Sequence, residues 1–185
     1  MSLEIVVGPM FSGKSSYALS YIRRQRAIGR NVIVIKPNID KRYSIEQVLV
    51  THNKEQTPCM VWPVDELLDP FVPGILTANC IVLEETQFFK GVRNFVEYIL
   101  RISRKNILIV GLDGTAGQEP FGEIFECIPW ATNVTKLCAL CKQCGDGTLA
   151  PFTKKICSGD IQMIVDVGGS EKYESVCLKH LTDIQ

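Results

Sequence analysis

The sequence predicts an α/β fold, a parallel sheet with flanking helices, followed by a small C-terminal β-ribbon module. Three observations carry this. The short β-branched runs "EIVV" (4–7), "NVIVIK" (31–36), "CIVLEE" (80–85) and "NILIVGL" (106–112) alternate with helical patterns, as strands buried on both faces of a parallel sheet do. The glycine-bearing stretch "GPMFSGKSS" (8–16) stands between the first run and the first helical segment. Five of the eight cysteines lie after residue 137, and the regular alternation gives way to short strands and turns after Pro129. Two units are therefore expected, 1–137 and 138–185.

Taken in order, residues 14–28 can form a helix that Gly29 ends. Val92, Phe95, Val96, Ile99 and Ile102 repeat at helical spacing, so an amphipathic helix is expected over 91–103. Segments 37–60 and 145–160 are polar and weakly periodic, and loops are expected there.

A chain of 185 residues, 46% hydrophobic and 22% charged, suits one well-buried domain with a small appendage. Twenty basic side chains balance twenty acidic ones, so no bulk charge advertises nucleic acid or an anionic membrane, and neither is expected as a partner. No apolar run approaches the roughly 20 residues that span a bilayer, and no basic segment leads into an apolar core. A cytoplasmic protein is expected, or one of the host cytoplasm if viral.

The stretch at 8–16 fits G-x-x-x-x-G-K-[ST], with Gly8, Gly13, Lys14 and Ser15 in place. The glycines let Pro9, Met10, Phe11 and Ser12 turn with their amides inward, the helix N-terminus adds positive charge, Lys14 reaches the outer phosphates, and Ser15 would ligate Mg²⁺. The plainer alternative is a glycine turn joining strand to helix; its placement between a strand and a helix favours a nucleoside triphosphate. A phosphate cradle needs a carboxylate-bearing strand for magnesium or the nucleophile. The run "IVLEETQFF" (81–89) ends in Glu84 and Glu85. Adjacent strand residues point to opposite faces, so one of the two is expected to aim into the site.

Cys59, Cys80 and Cys127 stand alone, and Cys80, opening an apolar run, reads as a small buried hydrophobe. The stretch "CALCKQC" holds two overlapping C-x-x-C registers, and "CLKH" adds Cys177 and His180. Two such pairs make the four ligands of a tetrahedral structural zinc. Cys141 with Cys144 is the favoured register over Cys138 with Cys141, because Gly145 follows and lets the chain turn while amides approach the sulfurs. His52 sits in a polar stretch and reads as a loop hydrogen-bonding residue.

The chain resembles the thymidine kinases of vertebrate cytosol, many bacteria and large DNA viruses. The resemblance rests on "GPMFSGKS" (8–15), "DKRY" (40–43), "TH" (51–52), "EETQFF" (84–89), "LDGT" (112–115) with "PFG" (120–122), "CKQC" (141–144) and "GGSEKYESVC" (168–177). It implies transfer of the ATP γ-phosphoryl group to the 5′-hydroxyl of thymidine. Glu85 matches the general base and Arg42 an arginine near the phosphates, while Glu84 and Gln87 join the P-loop in binding ATP. Segment 145–176 matches a lasso over the nucleoside, anchored at its root by zinc. Met10, Phe88, Leu112, Phe121, Thr153, Tyr173 and the run Ile164, Val165, Asp166, Val167, Gly168 would lie near the substrate. The resemblance also implies a homotetramer. The chain departs from the family pattern at Glu84, where aspartate is usual at the magnesium position, at Ala116, where an aromatic usually packs near the substrate, and at His180, where cysteine is common. Another deoxynucleoside kinase, or a zinc-ribbon ATPase that binds nucleic acid, is the alternative reading; the balanced charge and the lack of a basic, aromatic-rich face in 131–185 weigh against the latter.

Overall fold

The computed structural model describes residues 1–39, 48–50, 56–156 and 168–182. In chain order they form β1 (Ser2–Val7), α1 (Lys14–Ala27), β2 (Val32–Pro37), β3 (Val48–Val50), β4 (Gln56–Pro58), β5 (Met60–Trp62), α2 (Pro73–Thr77), β6 (Cys80–Leu83), α3 (Val92–Tyr98), β7 (Asn106–Gly111), β8 (Asn133–Lys136), β9 (Ala139–Leu140), β10 (Leu149–Ala150), β11 (Phe152–Lys155), β12 (Tyr173–Val176) and α4 (Leu178–Thr182). Six strands make one sheet in the order β5-β2-β6-β7-β1-β8, every pair parallel.

The period of two along each strand divides the core. Leu3, Ile5, Ile81, Leu83, Ile107 and Ile109 face one cluster with Phe95, Val96 and Ile99. Their neighbours Val6, Val82, Leu108 and Val110 face the other, against Ala18, Leu19 and Ile22 of α1. Each of these buried aliphatic side chains contributes about 1.5–3 kcal/mol relative to exposure. Cys80 is fully buried in the second cluster, as a small apolar group. The strand order leaves β1 between β7 and β8, so the turn after β1 lies beside the ends of β6 and β7, where loops of an open parallel sheet gather.

Several elements differ from the sequence expectation. The helix over 91–103 is α only to Tyr98 and continues as a π turn at Ile99–Ser103. The wider turn rotates the following side chains, so Leu100 is buried while Ile102 is 66% exposed instead of lying on the core face. The third apolar run ends as a strand at Leu83, and Glu85 adopts a left-handed backbone with φ +52°. The strand argument that adjacent residues point to opposite faces therefore does not govern Glu84 and Glu85. The stretches expected to be loops, 37–60 and 145–160, carry short antiparallel strands, β3 with β4 in the first and β10 and β11 in the second, and from Met60 on the chain pairs with β2 as the edge of the sheet; each is too short to show a period.

The C-terminal residues have a small core of their own, Ala139, Cys141, Ala150 and Val176, with Phe152 and Leu181 packed on it. β9 pairs with β10, and β11 with β12, both antiparallel. Among the described residues, no helix is long and apolar enough to cross a membrane.

Candidate active site

The turn after β1 is shaped by close approach. A Cβ at Gly8 would lie 2.4 Å from the Leu137 carbonyl oxygen, so no larger residue fits there. Gly13 takes φ +84° and begins α1 with no side-chain cap and no acidic residue in the first turn. The first amides of α1 and their positive dipole end are thereby left to an anion. Ser12 Oγ donates to the Pro9 carbonyl at 2.8 Å, and Lys14 Nζ donates to the same oxygen at 2.6 Å. Lys14 is 8% exposed. Burial lowers its pKa from the usual lysine value, against the opposing pull of Glu85, Glu84 and Asp113.

The carboxylates arrive from neighbouring strand ends. Ser15 Oγ donates to Glu84 Oε1 at 2.5 Å. Glu84 is 3% exposed, and its other oxygen is buried without a hydrogen-bond partner among the described residues. Burial, helped by the charge of Glu85, pushes its carboxyl up to about 8, with the Ser15 hydrogen bond and Lys14 pulling the other way. A buried carboxylate with an orphaned oxygen, bonded to the hydroxyl that follows a P-loop lysine, is a donor set suited to a hard divalent cation.

Glu85 follows directly and is oriented by Gln87, whose Nε2 donates to Glu85 Oε2 at 2.6 Å. The amide oxygen of Gln87 accepts from the Leu112 backbone N–H at 3.0 Å. Both ends of the Gln87 amide therefore serve protein groups. Phe88 and Phe121 meet edge to face, ring centres 5.2 Å apart, and Leu112 directly follows β7.

The C-terminal module reaches back to the P-loop. The Met10 amide donates to Thr153 Oγ1 at 2.9 Å, across 143 positions of sequence. Gln118 Nε2 donates to the carbonyls of Ala116, at 3.2 Å, and Thr153, at 3.4 Å, tying the loop that carries Ala116 to β11. Beside it Lys136 pairs with Asp113 at 2.7 Å. A cavity of about 420 Å³, lined by Val7, Asp113, Thr115, Gln118, Phe152 and Thr153 among others, opens on that side. Lys14, Glu84 and Glu85 do not line it. Tyr173 opens β12 opposite Lys155, and Gly168 packs against the Lys172 side chain so closely that a Cβ would lie 2.5 Å from it. Arg42, His52, Ile164, Val165, Asp166 and Val167 lie outside the described residues.

Gln118 and Lys136 had no motif to announce them. Gln87 lies within "EETQFF" and Asp113 within "LDGT", but the contacts of Gln87 with Leu112, of Gln118 with Thr153 and of Asp113 with Lys136 join positions distant in sequence.

A second cluster forms where β9, β12 and α4 converge. One donor atom from each of Cys141, Cys144, Cys177 and His180 lies within 4.8 Å of all the others. His180 Nδ1 is 3.5 Å from the Cys141 sulfur and 3.4 Å from those of Cys144 and Cys177, and the latter two sulfurs are 3.8 Å apart. A tetrahedral zinc with bonds of about 2.3 Å to sulfur and 2.0–2.1 Å to nitrogen has S–S edges of about 3.8 Å and S–N edges of about 3.6 Å. The four side chains thus fit such an ion closely. The Cys177 amide donates to the Cys141 sulfur at 3.3 Å, and Gly145, at φ +67°, turns the chain after Cys144. Cys138 is exposed and outside the cluster. Lys154 Nζ donates to the His180 carbonyl at 2.6 Å, tying β11 to the helix that carries the histidine.

Comparison with known proteins agrees with this arrangement. Residues 1–181 match the family model described as thymidine kinase. The chain is 38% identical over 175 residues to a thymidine kinase of Yaba monkey tumor virus, covering 95% of this chain and 91% of that one. It is 34% identical to a thymidine kinase of rabbit fibroma virus, covering 96% and 94%. Thymidine kinase a of Arabidopsis thaliana is 35% identical, with 97% and 74% covered.

Proposed function

The chain belongs to the thymidine kinase family, and on that premise we propose how its own residues carry the ATP-dependent phosphorylation of thymidine. The observation that carries the proposal is the convergence of Lys14, Ser15, Glu84 and Glu85 at the start of α1, next to a loop whose Met10 amide is held by Thr153. The amides of residues 8–15 and the N-terminus of α1 hold the β- and γ-phosphates, with Lys14 on the oxygens that gain charge. Glu85 takes the proton of the 5′-hydroxyl. The 5′-oxygen then bonds to the γ-phosphorus as the bond from that phosphorus to the β-phosphate oxygen breaks, giving thymidine 5′-monophosphate and ADP.

Ser15 and Glu84 would hold magnesium, supported by the orphaned Glu84 oxygen and its raised pKa. When bound, that ion supplies charge neutralisation across the β- and γ-phosphates. Glu84, one methylene longer than the usual aspartate, already touches the Ser15 hydroxyl, so the extra length does not remove it from the site. Arg42 is proposed to face the transferred phosphoryl group, where its fork suits anionic oxygens. Pro9, Met10, Phe11 and Ser12 contribute backbone to the ATP site. Segment 138–185 is proposed as the lasso unit and 1–137 as the nucleotide-binding unit, supported by the separate small core of the former. A homotetramer in the cytoplasm is proposed on family resemblance. The test of the function is incubation with ATP, Mg²⁺ and a panel of nucleosides: thymidine is expected to be converted fastest, deoxyuridine more slowly, and purine nucleosides poorly. Equal conversion of purine deoxynucleosides contradicts the reading.

The four-ligand cluster is proposed to bind one structural zinc per chain. Substituting Cys144 or His180 is expected to release the metal and loosen the C-terminal module, whereas Cys138→Ser retains it. Elemental analysis of the purified variants checks this, and loss of zinc from Cys138→Ser with retention in Cys144→Ser contradicts the register.

Ala116 sits on the loop that Gln118 fastens to Thr153. Replacing a family aromatic by alanine removes apolar wall, worth on the order of 1–3 kcal/mol. The family resemblance implies that backbone groups of the lasso read the base edge, so pyrimidine preference is expected to survive and bulky 5-substituted analogues to be accepted. Ala116→Phe is expected to tighten thymidine binding and to penalise those analogues. An unchanged ranking of KM values across the analogue series contradicts this role.

A further inference from the structure

We infer that Gln87 is a positioning residue that locks the Glu85 carboxylate to the nucleoside-pocket wall at Leu112. The inference rests on Glu85 being the base, and it adds what sets that carboxylate's direction. The Leu112 backbone N–H can only donate, so the Gln87 atom facing it at 3.0 Å is Oε1. Nε2 is thereby fixed toward Glu85 Oε2, 2.6 Å away. The side chain is 4% exposed, which removes competing water.

Its setting leaves little freedom. A Cβ at Gly122 would lie 2.4 Å from the Gln87 carbonyl oxygen, and one at Gly111 would lie 2.6 Å from Gln87 Oε1. Backbone thus presses on Gln87 from two sides. The preceding Thr86 Oγ1 lies 2.9 Å from the Leu83 carbonyl and 3.0 Å from that of Val110, pinning the turn to the ends of β6 and β7. Glu85 holds a left-handed backbone there, φ +52°, a conformation that costs a non-glycine residue about 1 kcal/mol or more and persists where surroundings over-determine it.

The chain of contacts runs from Glu85 Oε2 through the Gln87 amide to the Leu112 amide. One carboxylate oxygen is engaged by Gln87, so the carboxylate cannot rotate freely about its last bond, and its other oxygen is left to accept the hydroxyl proton. Glu85 and the Lys14 ammonium attract each other, so a carboxylate released from Gln87 would have another partner to turn toward. A fixed neutral amide selects the productive orientation without adding charge.

The test is a set of variants read as kcat and as KM for ATP and thymidine. Gln87→Leu removes the donor and the acceptor; kcat is expected to fall about 10–100-fold, with both KM values changing by less than about threefold. Gln87→Glu keeps the volume and the acceptor for Leu112 but sets an acceptor against Glu85, and is expected to be at least as impaired. In a Glu85→Gln background, Gln87→Leu should cost less than about threefold, because the effect is transmitted through Glu85. Near-normal turnover in Gln87→Glu overturns the inference in favour of packing, and a raised KM for ATP at unchanged kcat overturns it in favour of direct contact with ATP. An undiminished loss in the Glu85→Gln background also overturns it. Full activity of Glu85→Gln alone would instead remove the premise that Glu85 is the base, an outcome distinguishable from the others.

Discussion

Lys14→Ala lowers turnover by about 10²–10³-fold or more, the scale of losing one preorganised donor to developing charge, while the protein keeps its fold. The side chain belongs to none of the core clusters, and among the described residues it hydrogen-bonds the Pro9 carbonyl of its own loop. Burial already works against its charge, so removing the ammonium takes away a desolvation cost together with the attraction of Glu85, Glu84 and Asp113. What is lost is the cation that follows the γ-phosphoryl group as charge moves onto the leaving oxygen. Initial rates together with thermal melts of the variant check this. Retained turnover in a folded Lys14→Ala protein contradicts the phosphate-binding role.

Glu85→Gln is expected to reduce kcat by about 10²–10⁴-fold, the usual contribution of a positioned base. Thymidine affinity, read by calorimetry with a non-transferable ATP analogue, is expected to persist. The substituted amide has nearly the shape of the carboxylate, and its oxygen can still accept from Gln87 Nε2. Glu84→Gln is expected to act differently, moving the Mg²⁺ concentration needed for half-maximal rate, because Glu84 bonds Ser15 and offers the orphaned oxygen. A Glu85→Gln variant with altered Mg²⁺ dependence and little loss at saturating metal would reverse the two roles.

What the sequence made legible was what is local. Residues 8–15 are contiguous, and their chemistry follows from residue type and spacing without knowledge of the rest of the fold. The zinc register was legible for a similar reason, since Gly145 marks where the chain turns after Cys144. The four sheet runs were visible because strands buried on both faces are apolar at most positions, Glu4 and Lys36 being only partly buried exceptions.

What stayed hidden depends on distant partners. Nothing in "LEET" announces that the strand stops at Leu83 and that Glu85 turns left-handed; Val110 and the close-packed Gly111 and Gly122 enforce it. The π turn at Ile99–Ser103 broke a helical period that the apolar spacing carried through to Ile102. β5 is three residues long, and only pairing with β2 makes it a strand. The Met10–Thr153 bond, which brings the C-terminal module onto the P-loop, joins positions that no local pattern connects.

The account stands most directly on where the γ-phosphoryl group goes. With ATP labelled at the γ-phosphate, Mg²⁺ and thymidine in a single-turnover reaction, the label is predicted to appear in thymidine 5′-monophosphate, one for each ADP formed and none on the 3′-hydroxyl. Label recovered as inorganic phosphate, with ADP formed but no thymidine 5′-monophosphate, would mean that this site hydrolyses ATP for another purpose and would contradict the assignment of Lys14 and Glu85 to nucleoside phosphorylation.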